Sequence, residues 1–180
     1  RLASQLAHIP GLSYVGTDVV PQLLEHAREI CGRPDWKFLL TDGLTVPSDD
    51  NRADFVCFFS VFTHLRHEQS FRYLQEARRA LRPGGLIVFS FLEFKIHPHW
   101  AVFENMVTEA HKPENPLNQF MDRDGLAMFA RYLNVEIKNV WDGATPHIPV
   151  EGEVQWDDGR VQAGMGDLGH SICVMQKPRA

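Results

Sequence analysis

No apolar run in the sequence approaches the ~18 residues that a membrane-crossing helix needs. Cysteine is scarce: Cys31, Cys57 and Cys173 are too few and too scattered for a disulfide framework or a zinc site. Cys57 and Cys173 sit in apolar runs and are expected to be buried thiols in a reducing compartment. Positive charge is not in excess, with 18 Lys and Arg against 23 Asp and Glu and a net charge of -5. That balance argues against nucleic acid as a partner, because phosphate binding needs a basic face. The local group Arg78, Arg79 and Arg82 is expected to form the solvated side of a helix. No signal-peptide pattern, internal repeat or low-complexity segment is visible, so the expected location is cytoplasmic. Also missing is a glycine-rich turn ahead of the first strand signal.

What is present is an alternation of strand and helix patterns in a chain of 180 residues, enough for one domain with a sizeable core. Residues 2–8 suggest a helix, stopped by Pro10-Gly11. Residues 13–17 suggest a strand. Pro21 suits a first helical position, Leu23, Leu24, Ala27 and Ile30 form an apolar face, and Gly32 closes the helix. Residues 36–40 form a second strand signal, and 47–52 read as a turn. Residues 54–61 are nearly all apolar, which predicts a central strand covered on both faces. Phe71, Leu74, Ala77 and Leu81 then fall at helical spacing, and Arg82-Pro83-Gly84-Gly85 turns the chain into a further strand over 86–92. Such alternation predicts an α/β fold with a doubly wound, mostly parallel sheet.

Beyond residue 92 the pattern loosens. A short amphipathic helix is expected over 101–110, and Asp122 is placed to cap another that carries Leu126, Phe129 and Leu133. Residues 135–141 and 171–176 read as two more strands, with a small hairpin around Asp158-Gly159 in the long connection between them. The whole chain is expected to be one domain, with 93–121 and 142–169 as candidate substrate or lid insertions.

Tyr14-Val15-Gly16-Thr17-Asp18 places an acid at the end of a parallel strand, where a carboxylate accepts hydrogen bonds from ribose hydroxyls. Val19 is positioned to pack on a base. Asp42-Gly43 ends the next strand on the same edge; Asp42 could accept an exocyclic amine, Gly43 lets backbone pass close to a ligand, and Leu44 could cover a ring. The apolar strand runs out at Phe59-Ser60-Val61-Phe62-Thr63-His64-Leu65. Ligands of open α/β sheets sit outside such carboxyl ends, which makes Phe59 and Ser60 candidates for a cofactor wall and His64 for a reaction centre. The plainer alternative for His64 is a histidine bonded to backbone at a helix start.

Together these elements, with the Leu81-Arg82-Pro83-Gly84-Gly85 turn, resemble the class I S-adenosylmethionine-dependent methyltransferases. The resemblance covers residues 1 to about 92 and continues weakly to Lys177. It implies a Rossmann-like sheet with an antiparallel last strand. It also implies that Asp18 holds the ribose, Asp42 the adenine amine, Val19 and Leu44 the adenine faces, and Phe59-Ser60 the methionine portion. The chain departs from the family in two places. The family's first strand and glycine loop are not seen, which suggests an N-terminally truncated domain whose glycine half lies before Arg1. The connection over 142–169 is also long, and a lid, a substrate wall or a dimer contact are all consistent with it.

The implied reaction is methyl transfer from S-adenosylmethionine to a small-molecule acceptor by in-line displacement, with donor and nucleophile held ~3–3.5 Å apart. A water-poor site is expected to help, and a base is needed only for a protonated nucleophile. His64 and Glu93 are the first candidates, with His97 and His99 behind them. His97-Pro98-His99 lacks a third metal ligand and is expected to be a polar loop. Trp100, Phe103 and Met106 would line a substrate pocket or, as the simpler expectation, cover the core. No metal is expected. Two rival functions stay open at this level: an NAD-dependent oxidoreductase, which would use Asp18 equally well, and a non-catalytic binding or scaffold module.

Overall fold

The computed structural model describes residues 2–41, 43–112, 115–155, 159 and 161–179. Two compact units emerge, residues 1–47 and 48–180.

In the first unit, α1 (Leu2–Leu6) leads to β1 (Val15–Asp18), α2 (Pro21–Cys31) and β2 (Lys37–Leu40). Pro21 opens α2, where its missing N–H costs nothing. Gly32 closes it in the left-handed region at φ 56°, its N–H returning to the Arg28 carbonyl at 3.2 Å. The two strands pair in parallel from Val15↔Lys37 to Asp18↔Leu40. Ala3, Leu24, Cys31, Trp36 and Phe38 form the core, with the Tyr14 ring tilted against Trp36 at 4.6 Å. Trp36 donates to the Leu12 carbonyl at 2.8 Å, so its polar edge is not left dry. The buried stripe of α2 is Leu24 and Cys31, with Ala27 beside them; Leu23 and Ile30 are exposed, contrary to the single face expected from spacing. Leu23 and Ile30 are seven residues apart and so stand on one flank of the helix, rotated away from that core.

The second unit holds a four-stranded sheet of order β3-β4-β8-β5, from β3 (Ala53–Phe58), β4 (Leu81–Phe91), β5 (Glu136–Trp141) and β8 (Ser171–Gln176). Strands β3 and β4 are parallel, and β8 runs antiparallel to both β4 and β5, as an antiparallel last strand requires. The crossover is α3 (His67–Ala80), which buries Leu74, Ala77 and Ala80. Residues 82–85 bulge out of the β3–β4 register, with Gly84 at φ 81°. Phe62, Phe89, Phe91, Ile87 and Met175 fill the core.

Strand β3 is not covered on both faces as its composition suggested. It is an edge strand of this sheet, Phe55 is 63% exposed, and Cys57 is exposed rather than buried. Composition reports what a strand could bury, and neighbours decide what it does bury. Helix α4 spans His97–Thr108, so the expected polar loop at His97-Pro98-His99 is its first turn. Helix α5 (Arg123–Leu133) is capped by Asp122, whose Oδ1 accepts from the Gly125 N–H at 2.6 Å. The long connection contains a two-stranded antiparallel sheet, β6 (Ile148–Gln155) and β7 (Val161–Gly166); Asp158 lies outside the described residues. No helix among the described residues is long and apolar enough to cross a membrane.

Candidate active site

The first unit offers a nucleoside-type edge. Asp18 ends β1, and its Oδ1 accepts from the Val20 N–H at 2.9 Å, a local turn that aims the carboxylate off the strand. Its Oδ2 has no protein partner among the described residues. Val19 beside it is 65% exposed. The Thr41 N–H donates to the Asp18 carbonyl at 3.0 Å, so the two strand ends stay together. Thr41 Oγ1 bonds the Gly43 carbonyl at 2.9 Å, which curls the next turn, and a Cβ on Gly43 would meet nothing within 4 Å. Leu44 is half-buried. Asp42 lies outside the described residues. An open carboxylate oxygen, an exposed aliphatic side chain and an open glycine turn fit the ribose and adenine parts of a nucleoside cofactor.

The second unit offers a polar cluster at the carboxyl edge of β3 and β4. Phe59 is half-buried and Ser60 exposed. Ser60 takes a left-handed φ of 55°, uncommon for a side chain with a Cβ, and its N–H donates to Ser90 Oγ at 2.8 Å. Because β8 runs antiparallel, its start at Ser171 lies beside Phe91 at the carboxyl end of β4. That crossing brings His170 to the same edge, with Nδ1 3.5 Å from Ser90 Oγ. Burial first, then the nearness of His99 and His64, hold His170 below the ordinary imidazole range.

His64 is exposed, in a short 3-10 turn over Phe62–His64, with Nδ1 2.8 Å from the Leu117 carbonyl. The carbonyl can only accept, so Nδ1 carries a proton, and in the neutral ring Nε2 keeps a lone pair. His99 is buried, and both its nitrogens are engaged: Nδ1 accepts from the Glu93 N–H and Nε2 donates to the Gly169 carbonyl, each at 2.9 Å. His97 is exposed, and no metal-binding cluster forms among the described residues.

Glu93 is 1% exposed. Arg123 grips it with two bonds at 2.8 and 3.0 Å, Ser171 Oγ donates at 2.5 Å, and Lys95 stands at 3.5 Å. Burial alone would raise its pKa. The bonds from Arg123 and Ser171 and the charges of Arg123 and Lys95 outweigh burial and hold the carboxyl below its usual value. Both oxygens are thus engaged before any substrate arrives. Phe94 stacks on Phe120 at 4.5 Å, with Trp100 and Phe103 against it; Phe103 and Met106 are half-buried, and Trp100 is exposed. Of the basic group, Arg79 pairs with Asp50 and Glu76, and Arg82 with Asp54.

Sequence reasoning missed Ser90, Arg123, His170 and Ser171. One signal was available for the last two: an antiparallel final strand must begin at the edge where its parallel neighbours end.

The fold and this edge define an open α/β nucleotide-binding class. Residues 1–89 match the family model described as Methyltransferase domain. Among solved structures, an S-adenosylmethionine-dependent methyltransferase from Methanosarcina mazei is 15% identical, with 99% of this chain and 86% of that chain covered at TM-score 0.62. The Haloferax volcanii partner of the Trm112 methyltransferase activator is 20% identical, with 97% and 76% covered at TM-score 0.66. Magnesium protoporphyrin IX methyltransferase from Synechocystis, with bound S-adenosylhomocysteine, is 14% identical, with 98% and 68% covered at TM-score 0.61. No curated protein matches the chain. The match over residues 1–89 and the fold shared with these structures support an S-adenosylmethionine-dependent methyltransferase, with S-adenosylmethionine as the cofactor. The oxidoreductase and scaffold alternatives give way to that assignment.

Proposed function

We propose that the protein methylates a small-molecule acceptor by in-line displacement. Bound S-adenosylmethionine supplies an electrophilic methyl group on a positively charged sulfur. Asp18 would take the ribose hydroxyls through its open oxygen, while Val19, Gly43 and Leu44 border the adenine and Asp42 accepts its amine. Phe59 and Ser60 would face the methionine portion. His64 is the proposed general base: its Nδ1–H is committed to Leu117, which leaves Nε2 to accept a proton from the acceptor. Glu93 is given a positioning role, because its oxygens already hold Arg123 and Ser171. A net charge of -5 favours a small molecule over nucleic acid. Magnesium protoporphyrin IX methyltransferase is named for a small molecule, in keeping with such an acceptor.

The observation that carries the cofactor site is the Asp18 carboxylate at the end of β1, one oxygen satisfied by Val20 and the other without a partner among the described residues. Calorimetric titration with S-adenosylhomocysteine tests it. Asp18→Ala is expected to weaken binding by roughly tenfold or more, the worth of hydrogen bonds to a charged group at about 1.5–3 kcal/mol. Unchanged affinity would remove Asp18 from the site.

A further inference from the structure

Phe94, the third residue past β4, is half of a stacked ring pair and also lines a cavity. It stacks on Phe120 at 4.5 Å, with 14° between the planes. Phe103 stands nearly perpendicular to both rings, 5.3 Å from Phe94 and 5.9 Å from Phe120, which puts it beside the pair and not over it. Trp100 meets Phe94 edge to face at 6.3 Å. Its neighbours thus hold Phe94 in place, yet 49% of it is exposed. A fixed aromatic surface in water is one that a flat ligand can cover. The cavity, of about 250 Å³, lies between the end of β4 and the start of α5, with Phe94 and Met121 in its wall. A cavity of about 150 Å³ takes one benzene ring, so this one holds a single ring with its substituents. The charges that line it nearly cancel, Lys95 and Arg123 against Glu93, Asp122 and Asp124. Glu93 is already bound by Arg123, and Asp122 by the Gly125 N–H. No charge dominates the lining, and its distinctive surface is the Phe94 ring. Three bonds tie the segment that carries Phe120 to the turn that carries His64. The Leu117 carbonyl accepts from His64 Nδ1 at 2.8 Å, the Thr63 carbonyl from the Gln119 N–H at 2.7 Å, and the Phe120 carbonyl from His67 Nε2 at 2.8 Å. Leu117 and Phe120 are at most about 11 Å apart along the chain, so the ring pair and His64 share one stretch of the carboxyl edge.

We propose that this cavity is the acceptor site, and that the acceptor is a single-ring aromatic compound stacked on the open surface of Phe94 with Met121 against it. This rests on the methyl-transfer function proposed above. Phe94 then determines specificity. Offset-stacked rings gain stabilisation beyond their buried area, so a flat π system is favoured over a saturated ring of the same size. The Met121 thioether suits a ring edge. Because the lining charges nearly cancel, the ring itself is selected and not a charge on it. A nucleophilic atom on the ring bonds to the methyl carbon as the carbon–sulfur bond breaks. The electron pair stays on sulfur, which loses its positive charge, and any proton on the attacking atom passes to His64 Nε2.

Two experiments on the full chain test this. Nuclear Overhauser contacts between ligand and protein are measured with phenol, benzoate and aniline, and with their cyclohexyl counterparts. The aromatic protons are expected to contact Phe94 and Met121, and the saturated compounds to bind several-fold more weakly. Contacts only elsewhere, or equal binding of the saturated compounds, overturn the proposal. Tritiated methyl transfer is then measured against a panel of substituted phenols, anilines and thiophenols and their cyclohexyl counterparts. The aromatic compounds are the expected acceptors. Phe94→Leu keeps apolar bulk without a π face. It should raise KM for them roughly two- to tenfold with kcat little changed, the pattern of binding lost equally from ground and transition states, and Phe94→Tyr should recover it. S-adenosylhomocysteine affinity, read by calorimetry, should not change. An unaltered KM in Phe94→Leu overturns the role of Phe94. Transfer to saturated compounds alone, or to no aromatic compound in the panel, overturns the choice of acceptor. If S-adenosylhomocysteine fails to bind while the ring contacts are seen, it is the methyl-transfer function that falls, and the acceptor assignment falls with it.

Discussion

Replacing Arg123 with methionine should destabilise the protein in a way that depends on pH with a definite sign. The change keeps the aliphatic stem and removes the two bonds at 2.8 and 3.0 Å that satisfy the buried Glu93 carboxylate. Removing one partner of a buried ion pair costs about 3–5 kcal/mol, because the other charge is left dry. Here the cost is smaller. The Arg123 side chain is 37% exposed, so solvent screens the pair, and Lys95 and Ser171 stay on the carboxylate. The expected loss at pH 7 is roughly 2–3 kcal/mol. For a chain of this size that lowers Tm by roughly 4–12 °C. In the native protein the Glu93 pKa is depressed, so its contribution is complete above the ordinary carboxylate range and is lost as pH falls through the folded value. In the variant, burial wins and the pKa rises above that of the unfolded chain. Stability tied to Glu93 is then present at low pH and lost as pH rises, so the deficit against wild type should shrink between pH 7 and pH 5. Urea denaturation at the two values measures it. Arg123→Met with Glu93→Gln should recover most of the loss at pH 7. A deficit under about 1 kcal/mol, or one that does not shrink toward pH 5, would refute the argument that this carboxylate depends on Arg123.

Gly143→Ala should damage the same region from another side. A Cβ there would lie 2.6 Å from the His170 carbonyl carbon, 2.7 Å from the Ser171 nitrogen and 2.8 Å from His99 Nε2. Two of these atoms are backbone and cannot give way, so a loss of about 1–3 kcal/mol is expected in thermal unfolding, with reduced methyl transfer and unchanged S-adenosylhomocysteine affinity. Leu74→Ala empties a fully buried position on α3 and should cost about 2–5 kcal/mol in urea denaturation, with no bond in the polar cluster touched.

Much of the site's scaffold was legible because its causes are local. Asp18 is the last of four strand residues and precedes a helix that begins at Pro21, and chain geometry alone puts that carboxylate at a strand end. Asp122 as a cap and Gly32 as a helix stop are equally local. The reading failed where an answer depended on a distant neighbour. The apolar run of β3 promised a strand covered on both faces, yet Phe55 is exposed, because burial of a face is decided by the layer packed on it and not by the strand's own composition. His99 looked like part of a polar loop, yet Gly169, 70 positions later, accepts its proton in a buried place.

By itself, the sequence determined the α/β alternation, the Gly32 stop of α2, the Asp122 cap of α5 and the resemblance to the methyltransferases. These follow from periodicity, caps and turn residues within about one element's length. Only the tertiary structure decided the chemistry of the second unit. It joins Glu93 to Arg123 across 30 positions and Ser90 to His170 across 80. The second union, and the bond from Ser171 to Glu93, depend on β8 returning antiparallel beside β4, a long-range pairing to which no local pattern is sensitive. Once that strand is in place, desolvation fixes which polar atoms must pair.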